Sequence, residues 1–82
     1  MTDSTNDLSF SDYNGGKVVG THAAASNGNG LLNKSLKKVI IPATYLGVRV
    51  IEIGNGAFEA TKIESVFIPR YVKTITYDAF WN

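Results

Sequence analysis

Leu36-Lys37-Lys38-Val39-Ile40-Ile41-Pro42 and Ile63-Glu64-Ser65-Val66-Phe67-Ile68-Pro69 share one pattern: an apolar corner residue, two alternating apolar residues, then proline. In each copy the fourth and sixth residues share one face of a strand, and the first turns inward before it. Proline ends the strand, since it has no N–H to continue a ladder. The segments after the two prolines also recur. Val50, Ile53, Ala57 and Phe58 return 22 residues later as Val72, Ile75, Ala79 and Phe80. Leu36, Val39, Ile41 and Pro42 return after 27, because Tyr45-Leu46-Gly47 belongs to a five-residue insertion in the first copy. A period in the twenties marks a solenoid, in which each repeat makes one coil and stacking buries what a single coil leaves open. The Val-x-x-Ile segment makes the return side and Gly54 the corner. Ala57 admits the next coil closely, while Phe58 and Phe80 stack as an aromatic column. The predicted core is Val39, Ile41, Val50, Ile53, Phe58, Val66, Ile68, Val72 and Ile75.

Toward the N-terminus, Leu8 and Phe10 alternate with polar residues, and Asn14-Gly15 supplies the positive φ angles of a tight turn. A β-hairpin over residues 8–20 is predicted. Residues 21–34, with Asn27-Gly28-Asn29-Gly30, hold little that could pack beyond Ala23–Ala25 and Leu31-Leu32, and read as a mobile loop. Residues 1–7 are small and polar and read as a frayed end. The organisation is thus a disordered N-terminus over 1–7, a capping hairpin and flexible loop over 8–35, and two repeats over 36–82.

Composition sets the bounds. The 82 residues make one domain, and a chain this size buries only about 60% of its unfolded surface. Hydrophobic residues at 44% and charged residues at 18% argue against wholesale disorder. A net charge of +1 gives no field that suggests nucleic acid, and no apolar run approaches the ~18 residues of a membrane span. Without cysteine there is no disulfide and no thiolate chemistry. The polar, acidic start carries no secretory signal, so the location is intracellular by default unless a leader has been removed.

The ordered set Ile41-Pro42, Val50, Ile53-Gly54, Ala57-Phe58, Ile63, Val66, Ile68-Pro69, Val72, Ile75 and Ala79-Phe80 resembles the BspA-like leucine-rich repeats. The Pro42-x-x-Tyr45-x-Gly47-x-x-Val50 insertion is similar to a variant often found at the first repeat of such arrays, and the hairpin resembles their capping segment. The resemblance implies a mainly β, leucine-rich-repeat-type solenoid of about two coils, with an N-terminal β-hairpin cap and short helical turns. It also implies a protein-interaction or adhesion module of a family often at cell surfaces. Two departures stand out. Thr76 replaces the second corner glycine, and the usual cysteine after the Ala-Phe pair is absent.

A catalytic, cofactor or metal site is hard to assemble from these residues. His22, the chain's one histidine, has no clustered acids in sequence and reads as a solvated loop residue. Gly54-Asn55-Gly56 and Gly28-Asn29-Gly30 lack the third glycine of a dinucleotide fingerprint and read as turns. Lys34, Lys37 and Lys38 form a small basic cluster, with Glu64 expected beside Lys37. Asn33-Lys34-Ser35 matches a glycosylation sequon, as chance allows.

The strand positions that point outward carry more. Ile40 and Phe67 are expected to face solvent, stacked, flanked by Lys38, Ser65, Arg70 and Tyr71. One reading makes them a protein-binding patch, and the other has the hairpin or the 21–34 loop fold over them. A second candidate is the C-terminal end. There Val72, Ile75, Phe80 and Trp81 would face water, inviting a protein partner or a second copy. The functional expectation is non-enzymatic protein binding, against a structural component of a larger assembly and, remotely, an enzyme's accessory domain.

Overall fold

The computed structural model describes residues 3–23, 28–76 and 78–80. They form a mainly β unit with seven short strands in two sheets, neither of them closed. The first hairpin pairs β1 (Phe10–Tyr13) antiparallel with β2 (Gly16–Val19). Its turn has φ of 53° at Asn14 and 79° at Gly15. Positive φ at both central residues suits the right-handed twist of the strands, which is why an Asn-Gly pair serves here. A second hairpin joins β4 (Thr44–Tyr45) to β5 (Val48–Ile53) through Leu46 and Gly47, with φ of 51° and 78°. Its turn holds the Tyr45-Leu46-Gly47 insertion, and Tyr45 stacks on Phe10 with ring centroids 4.1 Å apart.

The copies then pair in parallel. β3 (Lys38–Ile40) lies beside β6 (Ser65–Phe67), with Val39 opposite Val66. β5 lies between β2 and β7 (Thr74–Ile75), with Ile53 opposite Ile75. The β3–β6 and β5–β7 pairings match the offsets at which the sequence repeats. Beyond the strands the levels stay in step: the Gly54 N–H donates to Val19 O, and the Thr76 N–H to Ile53 O. The core is Leu8, Val18, Val19, Leu31, Val39, Ile41, Val50, Ile53, Ala57, Phe58 and Ala79, all nearly or fully buried. Phe58 and Phe80 stack at 5.3 Å, as the repeat pattern predicts.

Several expectations need correcting. Of the predicted core, Val66 and Val72 are only partly buried, while Ile68 and Ile75 are 39% and 47% exposed. These residues have the right facing but belong to the outermost level, with no described residue stacked beyond it. The 21–34 segment is not loose where it is described. Gly28, Gly30 and Leu31 are buried, and the Gly30 N–H donates to Ala57 O. Leu31 bridges to Leu8, the Ser9 N–H donates to Gly30 O, and the Leu32 N–H donates to Asp7 O. Gly30 is required by close approach, since a Cβ there would lie 2.9 Å from Ala57 O. A stretch poor in large side chains packs here through its backbone. Expectations for Ala24 and Ala25 fall outside the described residues.

The N-terminus is also ordered from Asp3, where a frayed end was expected. Thr5–Asp7 form one 3₁₀ turn, the only helical element among the described residues. At its start the Asp3 carboxylate accepts from the Thr5 hydroxyl and N–H, and these bonds lower its pKa below the ordinary value. Ser4 is held to the free edge of β3. Its N–H donates to Ile40 O, and its hydroxyl oxygen accepts from the Ile40 N–H. A strand edge left open invites pairing, and Ser4 closes part of this one.

Candidate interaction surface

Strand β3 and strand β6 place Lys38 beside Ser65 and Ile40 beside Phe67, because parallel partners in register point to the same side. A shallow groove of about 310 Å³ runs between them, lined by Lys38, Val39, Ile40, Ser65, Val66 and Phe67. Phe67 is 56% exposed, and Ile40 is half-buried. The described part of the 21–34 segment does not cover the pair, and packs against Ala57 and Leu8 instead. Ser4 lies along the backbone of Ile40. Lys37 O accepts from the Glu64 N–H, which sets Glu64 on the level next to Lys37, as the repeat predicts.

Arg70 and Tyr71 are not part of this groove. Pro69 is buried and accepts the Val72 N–H, closing a turn whose middle residues are Arg70 and Tyr71. That turn carries them away from β6 and toward β5. There the Arg49 guanidinium lies over the Tyr71 ring at 4.5 Å and that of Arg70 at 5.2 Å. Trp81 falls outside the described residues.

The apolar end is distinct again. Ile68, Ile75 and Phe80, all on the last level, are 39%, 47% and 40% exposed. Among the described residues β7 pairs only with β5 and β6 only with β3, so both ladders end there with an open strand edge.

One polar pair escaped the reading of the sequence. His22 is an exposed loop residue, as expected, but it is also partnered: its Nδ1 lies 2.7 Å from Glu52 Oε2, and its ring stacks on Tyr13 at 3.6 Å. Glu52, at 4% exposure, is the buried charged residue of the described core. The His22 backbone is fastened too, its carbonyl accepting from Asn55 Nδ2. The sequence signal was an isolated acid between Ile51 and Ile53, which needs a partner if buried. An acid that orients an imidazole can serve base catalysis, but neither groove is lined by His22 or Glu52. What the pair does here is hold the 21–23 segment onto β5.

No helix among the described residues is long and apolar enough to cross a membrane. No protein-family model, curated protein or solved structure matches the chain.

Proposed function

We propose that this chain is a non-enzymatic protein-interaction module of the BspA-like leucine-rich-repeat type, its copies stacked as successive coils of a solenoid. The observation that carries this reading is the agreement between register and repeat. Val39 pairs with Val66, and Ile53 with Ile75, each at the offset of its own sequence repeat. Stacked repeats present equivalent side chains in rows, and rows of outward apolar residues make binding faces. Ile40 and Phe67 form such a row, with Lys38 and Ser65 at its polar margin. Phe67 is the anchor of this face, since large exposed aromatics dominate the energetics of protein interfaces.

The test is capture of partners from a source lysate by the parent chain and by Phe67→Ser. Captured proteins are expected to be lost from the variant while its thermal melt stays close to the parent's. Equal capture by both would remove the face from consideration, and an unfolded variant would show that Phe67 belongs to the core.

A second reading, packing into a larger assembly through the last level, is favoured by the exposed Ile68, Ile75 and Phe80 beside two open strand edges. Sedimentation over a range of concentrations tests self-assembly by that route. Association suppressed by Ile75→Lys would support it; a monomer throughout would leave Phe67 as the main face.

A further inference from the structure

Both arginines of the chain converge on a single ring. Arg49 from β5 and Arg70 from the turn after β6 lie over Tyr71 with guanidinium-to-centroid distances of 4.5 and 5.2 Å. Stacking of this kind holds a guanidinium in place without using its N–H groups, which stay free to donate. Beside Arg49 is the larger of the two grooves, about 500 Å³, whose charged lining residues are Arg49 and Lys73. The Lys73 N–H donates to Ile51 O, which sets Lys73 beside β5, just before β7. Among the described residues no ion pair joins a carboxylate to Arg49, Arg70 or Lys73. Three positive charges are therefore gathered on one side of a chain whose net charge is only +1.

The rest of the groove is built from two turns and an apolar floor. Asn14-Gly15 and Leu46-Gly47, both with positive φ, bring the tips of the two hairpins to it, and Val48 and Ile51 lie between. Gly16 makes room for the floor: a Cβ there would come within 2.5 Å of Ile51 Cδ1. Leu46, in the same turn as Gly47, is 79% exposed and holds a left-handed backbone that Asn or Gly would adopt more readily. An apolar side chain is thus displayed next to the cationic groove at a cost in local strain.

We propose that this groove binds a short acidic peptide segment of a partner protein. In that arrangement Arg49 takes a carboxylate through its fork of N–H groups, Arg70 and Lys73 supply further positive charge, and an apolar residue of the peptide rests on Val48 and Ile51. Paired donation from a guanidinium suits the planar carboxylate of Asp or Glu. The apolar floor favours a peptide over a nucleic acid, because the nearby aromatic ring is already engaged by both arginines and the groove offers no open ring for a base to stack on. The site shares no residue with the Ile40–Phe67 groove, so it stands or falls independently of the function proposed above.

Binding of fluorescent hexapeptides to the full chain tests this, with Glu and Leu alternating in one peptide and Gln and Leu in its amide counterpart. The acidic peptide is expected to bind about tenfold or more tightly than the amide peptide, and to weaken as salt is raised. Arg49→Gln should abolish that preference, Lys73→Gln should reduce it, and Phe67→Ser should leave it intact. Both cation substitutions fall on exposed side chains, and a thermal melt matching the parent's confirms that each variant is folded. Should Arg49→Gln unfold, the Lys73→Gln result decides. Equal binding of the acidic and amide peptides would overturn the proposal. So would an acidic preference unchanged in the folded variants, or displacement of the peptide by inorganic phosphate or single-stranded oligonucleotide at equal charge concentration.

Discussion

Equivalent residues of the two repeats meet opposite fates. Ile53 is fully buried and Ile75 is 47% exposed; Ile41 is 1% exposed and Ile68 is 39%; Phe58 is 2% exposed and Phe80 is 40%. Each pair has the same place in the repeat and the same inward facing. The difference lies in the neighbour on the next level. The first repeat lies between the N-terminal hairpin and the second repeat, whereas among the described residues the second has a neighbour on one side only. The corner residues obey the same logic. Gly54 sits beneath the backbone of Thr21, where a Cβ would come within 2.2 Å of the Thr21 carbonyl oxygen. Thr76 occupies the equivalent corner with no described chain passing over it, and its hydroxyl donates to Ile53 O. The second repeat tolerates threonine because the space that glycine preserves in the first is not occupied there. At this corner of the repeat, glycine marks a covered level.

Truncating the stacked rings one at a time puts the contrast between levels under the greatest strain. Phe58→Ala removes a fully enclosed side chain and is expected to cost about 3–5 kcal/mol, most of the stability of a domain this small. Phe80→Ala, at the open level, should cost about 1–2 kcal/mol. Urea unfolding of the two variants checks the order, and equal losses would mean that the last level is covered in solution.

The corners give the next largest contrast. Gly54→Ala forces a methyl group against the Thr21 backbone and is expected to cost about 1–3 kcal/mol, as overpacking does. Thr76→Gly should cost roughly 0.5–1 kcal/mol, chiefly through added freedom of the unfolded chain. Reversal of that order in thermal melts would contradict the assignment of Gly54 to a covered corner.

A smaller effect tests how the cap is fastened. His22→Ala leaves the Glu52 carboxylate buried without its partner, for a loss of about 1–3 kcal/mol. Glu52→Gln in the same background should recover part of it, because a neutral amide is less costly to bury than a carboxylate. Hydrogen exchange at residues 28–31 should quicken in His22→Ala if the clamp holds the cap over the first repeat. Unchanged exchange would limit the pair to a local role.

The residues that repeat in sequence also pair in space, and that much was legible without the structure. The period predicted Val39 beside Val66 and Ile53 beside Ile75, and Asn14-Gly15 predicted the hairpin turn, because facing and turn chemistry are properties of a few adjacent residues. The outward placement of Ile40 and Phe67 comes from the same alternation. Burial was not legible in that way, since it depends on what lies on the next level. Ile68 and Ile75 carry the same pattern as Ile41 and Ile53 and yet meet solvent. The packing of Gly28, Gly30 and Leu31 gave no periodic signal either, because backbone hydrogen bonds to Ala57 and contact with Leu8 do not depend on large side chains. His22 with Glu52, and Arg49 with the Arg70–Tyr71 turn, join residues from different turns and strands. The local sequence around each of them dictates no partner, and only the path of the chain through its turns brings them together.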